Sequence, residues 1–216
     1  MGKLKAAAPK ERGQHAAAQN RLGLERLIFF SDAVFAIAIT LLVLDIRLPS
    51  DADWAGNREL LLLLAGLWPQ YLAYFISFWV IGLSWISHHR KFLHIQRVDN
   101  QLLSLNLLML MMIAFIPFPT AVMSESISLT ATGFYALTMI LASLSGLILW
   151  WYAARNHKLI DPHLDQHQIW REAFVPLATI AIFVLSMGVA LFDAGLARIC
   201  WLFVFPVSLF LRRRAG

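Results

Sequence analysis

Six apolar runs, separated by polar or basic stretches, organise this chain. They cover about 26–46, 60–87, 101–118, 131–153, 172–192 and 196–211. A helix rises about 1.5 Å per residue, so roughly 20 apolar residues cross the hydrocarbon core of a bilayer. The pattern predicts an all-α membrane protein, a compact six-helix bundle over residues 23–212 with short connections and no separate soluble domain. Residues 1–22 read as a mobile basic tail and 213–216 as a basic C-terminal tail. Proline has no backbone N–H and ends or bends helices. Pro69 therefore either opens the spanning part of the second run or kinks it, and Pro117 and Pro119 close the third. No internal repeat stands out. The first twenty residues lack a continuous apolar core, so the first helix itself is expected to direct insertion in place of a cleavable leader.

Composition agrees with the pattern: 59% of the 216 residues are hydrophobic and 14% charged, against about 25% charged in a soluble domain. The net charge of +5 is not a nucleic-acid footprint, because the basic residues sit at the ends of apolar runs, where they set topology. Fifteen of the 18 lysines and arginines fall in residues 1–26, 88–100, 154–171 and the C-terminal Arg212–Arg214. Only Arg47, Arg58 and Arg198 lie on the other side. Both termini are therefore expected on the cytoplasmic side. Cys200 stands alone, which rules out an internal disulfide or a cysteine-rich metal centre.

Within the first run, "RLIFFSDAVFAIAITLLVLD", the polar residues pose the chemical question. A carboxylate inside a bilayer costs about 2.5 kcal/mol or more without a partner. At 100° per residue, Ile37, Leu41 and Leu44 lie within about 60° of one another, with Thr40 about 60° from Ile37. Ser31 and Asp32 point about 120–140° from Ile37, toward neighbouring helices. Trp85, His88, His89 and Asn106 lie at similar depth and offer indole, imidazole and amide donors. That set reads either as a structural network or as a proton relay. The aliphatic stripe alone reads as ordinary helix packing or as a lining.

Other clusters carry less. Adjacent His88 and His89 diverge by about 100°, which disfavours a shared metal. The stretch 156–168, with His157, Asp161, His163, Asp165 and His167, reads as a solvated loop. The tryptophans, among them Trp54, Trp68, Trp150, Trp151, Trp170 and Trp201, fall near segment ends, as in an interfacial belt. No Gly-rich phosphate loop or serine-nucleophile motif is present, so no enzyme and no cofactor is expected.

Arg26, Phe30, Ser31 and Asp32 spell R-x-x-x-F-S-D, and "WISHHRKF", "LLSLNLL" and "FIPFPT" follow. Through residue 120 the chain resembles the transmembrane protein 175 family, lysosomal potassium channels and their prokaryotic relatives. Its single six-helix unit is similar to the prokaryotic members. The resemblance implies a potassium-permeable homotetramer in a prokaryotic inner membrane, its pore lined by the first helix. It implies no TVGYG-type filter loop, and this sequence has none. It also implies a hydrophobic constriction at Ile37, continued by Leu41 and Leu44, and a selectivity role for Thr40. Arg26 and Asp32 would hold the pore helix in place. The competing class is a proton-coupled secondary transporter relaying through Asp32 and His88 or His89, but inverted repeats and broken midplane helices are not evident.

Overall fold

The computed structural model describes residues 9–49 and 56–214. These form helices α1 (Pro9–Leu41), α2 (Asn57–Gly66), α3 (Trp68–His94), α4 (Asn100–Phe115), α5 (Pro117–Glu125), α6 (Leu129–Ala154), α7 (Gln166–Ala190), α8 (Ala194–Cys200) and α9 (Val204–Arg214), with short 3-10 turns between some of them. Among the described residues, five helical spans are long and apolar enough to cross a bilayer. They are Ala18–Asp45, Trp68–His94, Asn100–Glu125, Leu129–His157 and Gln166–Ala190. The sixth apolar run forms the shorter segment Ala194–Phe210. The chain is a multi-pass, all-helical membrane protein.

Four expectations change. First, α1 starts at Pro9, so residues 9–22 are helix and not tail. Ala16, Ala17, Ala18, Gln19 and Leu22 are strong helix formers, and Arg21 pairs with Glu25 one turn on at 3.0 Å. Residues 1–8 and Trp54 lie outside the described residues. Second, the run 60–87 is two helices. Pro69, in the first turn of α3, opens the spanning helix, while α2 has no buried residue. Third, α3 continues past residue 87 to His94, because Ser87, His88, Lys91 and Phe92 all point into the bundle. Arg90 and Lys91 are thus helical residues and not loop charges. Fourth, Pro117 does not end the third span. The helix breaks at Ile116 and resumes as α5.

That break is fastened by polar side chains. Thr120 Oγ1 donates to the Ile116 carbonyl at 2.8 Å, and Ser77 Oγ lies 2.8 Å from Thr120 Oγ1 and 2.9 Å from Tyr135 Oη. All three residues are buried. At the α8 end, buried Arg198 donates to Thr132 Oγ1 and to the carbonyls of Met123 and Ser126. The arginine thus caps α5, satisfying carbonyls that a helix end leaves open.

α1 runs antiparallel to α3. The Arg47 N–H donates to Gln70 Oε1 at one end, and Asp32 meets Trp85 toward the other. α1 packs on α3 and α4, α4 on α6, and α6 most extensively on α7. At one end of the bundle the α6–α7 connection is tied to the α3–α4 connection. Gln96 and Arg97 N–H donate to the Leu159 carbonyl, and Asp161 N–H donates to that of His94. Asp99 caps α4 through the Leu102 N–H and receives the Tyr152 hydroxyl and the Lys158 ammonium. Partial burial opposes its charged form, but these donors outweigh that and hold its carboxyl below the usual range.

The tryptophans divide. Trp68, Trp151 and Trp170 are exposed, in keeping with an interfacial belt. Trp150 and Trp201 are fully buried. Their indole N–H groups donate to the Ile169 carbonyl and to Ser186 Oγ, which is what a buried indole requires.

Candidate functional site: the first helix and its polar support

The two faces of α1 differ completely. Leu27, Ser31, Phe35, Ala38 and Leu42 are buried in the bundle at a spacing of three to four residues. The other face carries Ala33, Ala36, Ile37, Thr40, Leu41 and Leu44, all exposed. Ile37 is 58% exposed and Leu44 59%, which in a lone chain leaves a continuous, largely aliphatic strip without cover. The small residues on it let a neighbouring backbone approach closely, as membrane helix interfaces require. Thr40 Oγ1 donates to the carbonyls of Ala36 and Ile37 at 3.0 and 2.9 Å. Its hydrogen is committed to its own helix, so the oxygen presents lone pairs outward.

Behind this strip runs a buried, directional chain of hydrogen bonds. Ser31 Oγ donates to the Leu27 carbonyl at 2.8 Å. Asn106 Nδ2 donates to Ser31 Oγ at 2.9 Å. Asn106 Oδ1 lies 3.0 Å from His88 Nε2. An amide oxygen only accepts, so His88 carries its hydrogen on Nε2. The chain ties α1 to α4 and α4 to α3. Ser31 and Asn106 are fully buried and His88 is 3% exposed. The imidazole also stacks on Phe92 at 4.1 Å.

Asp32 belongs to a separate, half-exposed contact. Trp85 Nε1 donates to Asp32 Oδ1 at 2.8 Å, and His89 stacks on the same indole at 5.8 Å. An indole N–H donates but does not accept, so it cannot hand a proton from Asp32 to His89. Arg26 and Phe30 lie exposed beside the strip, outside both arrangements. Six of the residues singled out in the sequence fall into two groups: Ser31, Asn106 and His88; Asp32, Trp85 and His89.

Sequence reasoning missed several intramembrane polar contacts. Ser77, Thr120 and Tyr135 fasten the broken span, and buried Lys91 donates to the Gly146 carbonyl at 3.2 Å. Glu172, also buried, pairs with Arg90 at 2.7 Å. Of these, Ser77 carried a signal, since an isolated polar residue inside an apolar run marks a packing contact. Among the described residues, no three His, Cys, Asp or Glu side chains converge as a metal site.

Comparison with known proteins centres on this helix. The family model described as endosomal/lysosomal potassium channel TMEM175 matches residues 26–117, a span that contains every residue of the strip and of its polar support. A protein of Streptomyces collinus named a potassium channel is 46% identical over 145 residues, covering 65% of this chain and 69% of that protein. One from Chamaesiphon minutus, also named a potassium channel, is 38% identical over 150 residues, covering 67% and 72%. The crystal structure of a lysosomal potassium-selective channel TMEM175 homolog from Chamaesiphon minutus superposes with a TM-score of 0.74 at 29% identity, covering 90% of this chain and 98% of that one.

Proposed function

The chain belongs to the TMEM175 family, and on that premise we propose that it is a potassium-permeable cation channel of a prokaryotic inner membrane. The pore is enclosed by helix α1 from each subunit of a homotetramer, both termini lie in the cytoplasm, and Ala194–Phe210 returns the chain across the bilayer as a sixth crossing. The single observation that carries this reading is the uncovered strip of α1, set opposite a face packed into the bundle. One strip cannot enclose a path; several copies around an axis can.

Ile37 forms the constriction, and Leu41 and Leu44 extend it. Branched aliphatic side chains around a narrow axis are hard to wet, and a dry constriction stops ions without a plug. Selectivity is modest, because no cage of backbone carbonyls replaces the hydration shell. Thr40 supplies hydroxyl oxygens one turn away. Asp32 and the Ser31–Asn106–His88 chain hold the helix.

Two measurements test this. The mass of the protein in mild detergent should be that of four chains; a monomer there argues against the pore. In liposomes under bi-ionic conditions, Thr40→Ala should shift the reversal potential toward equal potassium and sodium permeability while conduction persists. An unchanged reversal potential removes Thr40 from ion selection.

A further inference from the structure

Where α6 ends and α7 begins, at the end of the bundle that carries the basic connections, the two helices leave a groove of about 450 Å³. Leu147, Ile148 and Leu177 line its apolar depth, and Trp151 and Trp170 meet edge to face within it at 5.3 Å. A second groove of about 300 Å³ adjoins it, where Asn156, His157 and Gln166 add polar groups to a lining that also includes Ala154 and Ile169. Trp151, Trp170 and Arg155 border both. Immediately after Arg155 the backbone turns through left-handed conformations at Asn156 and His157, with φ of 54° and 51°. The helix therefore stops here, and Arg155 stays at the junction of the two grooves.

Arg155 contrasts with two cations of the same helix ends. Lys158 is held by Asp99 and Tyr152, and Arg90 is held by Glu172. Among the described residues the Arg155 guanidinium has no hydrogen-bond or ion-pair partner, and it is exposed. A guanidinium presents a fork of donors that matches phosphate. An unpaired fork beside interfacial tryptophans, over an aliphatic groove and next to the polar side chains of Asn156, His157 and Gln166, suits a molecule that is anionic at one end and hydrocarbon at the other.

We propose that the α6–α7 groove binds an anionic phospholipid with a hydroxylated headgroup, its phosphate on Arg155, its hydroxyls against Asn156, His157 and Gln166, and an acyl chain against Trp151 and Trp170. The site lies between α6 and α7, whereas α1 packs chiefly on α3 and α4. It goes beyond the conduction reading and depends only on the chain spanning a bilayer, so either can fail without the other.

The test uses the whole protein in detergent with equal amounts of phosphatidylglycerol and phosphatidylcholine of matched acyl chains, and native mass spectrometry counts the lipids retained. The wild type should retain phosphatidylglycerol about fivefold over phosphatidylcholine. Arg155→Gln should bring the ratio near one, while Arg58→Gln should leave it unchanged. Trp170→Ala should lower retention of both lipids. Equal retention by the wild type, or an unchanged preference in Arg155→Gln, overturns the proposal. Full displacement of lipid by soluble glycerol phosphate reduces the site to a phosphate site and also overturns it. So does a loss of oligomer mass in Trp170→Ala, which would seat a second copy of the chain in the groove.

Discussion

Ile37→Asn is expected to raise basal cation flux through the proposed channel several-fold and to weaken its discrimination between potassium and sodium. Ile37 lies 11 residues past Arg26, or about 16 Å along the helix, roughly halfway through a hydrocarbon core of about 30 Å. At 58% exposure in the single chain, its side chain makes little contact with its own bundle. The substitution therefore costs the subunit little stability while placing a ring of amides where the proposed pore is narrowest. Amides hydrate the constriction and offer oxygens to cations, removing the barrier that a dry aliphatic ring imposes. Ile39→Asn is the matched control. Ile39 packs against the buried core, so its amide would be stranded at about 1–3 kcal/mol. Its expected phenotype is less assembled protein with ordinary flux per tetramer. Liposome flux normalised to recovered tetramer separates the two. Unchanged current in Ile37→Asn together with raised current in Ile39→Asn would place the ion path on the other face of α1.

Asn106→Leu should destabilise the bundle more than any substitution on the exposed strip. The leucine nearly fills the space but supplies neither polar group. His88 then loses the acceptor for its Nε2–H, and its Nδ1 already has no partner in the structure. Ser31 loses its donor and keeps only its bond to Leu27. Each stranded buried group costs about 1–3 kcal/mol, so a fall of several degrees in the unfolding midpoint and a lower yield of oligomer are expected. The double variant His88→Phe with Asn106→Leu should recover part of that loss. Removing both partners leaves less unsatisfied, and a phenylalanine ring suits the stack on Phe92 and the contact with Phe35. Thermal unfolding of the wild type, Asn106→Leu, His88→Phe and the double variant in one detergent closes the cycle. An Asn106→Leu protein as stable as the wild type would mean that the chain of bonds adds nothing to the bundle.

The membrane class and the approximate positions of the apolar helices were legible in the sequence. Apolar runs report burial in lipid or protein directly, and a lone Asp32 or Asn106 inside one is conspicuous. The helix ends were less legible. α3 runs on to His94 because Lys91 finds the Gly146 carbonyl and Phe92 packs inward, which a count of charged residues cannot foresee. Pro117 was read as a stop. Ser77, Thr120 and Tyr135 make the bent continuation affordable, and they come from three separate segments. Arg198 entered the sequence reading only as a topology charge, yet it holds the end of α5. In each case the deciding contact is distant in sequence, and hydropathy averages over such contacts. The division between Asp32 with Trp85 and Ser31 with Asn106 was also hidden: Ser31 and Asp32 point about 100° apart on α1, but which helix each meets depends on how α3 and α4 pack around it.

The Ser31–Asn106 bond also has a consequence for biosynthesis. Its partners are 75 residues apart. At a synthesis rate of about 5–20 residues per second, Asn106 emerges roughly 4–15 s after Ser31. Within that interval α3 follows α1 out of the ribosome, and until Asn106 arrives Ser31 and His88 lack the amide they share. The early hairpin is a provisional intermediate. The third crossing completes its wiring on arrival, so a ribosome that stalls before Asn106 leaves behind a hairpin with exposed polar groups, a substrate marked for membrane quality control.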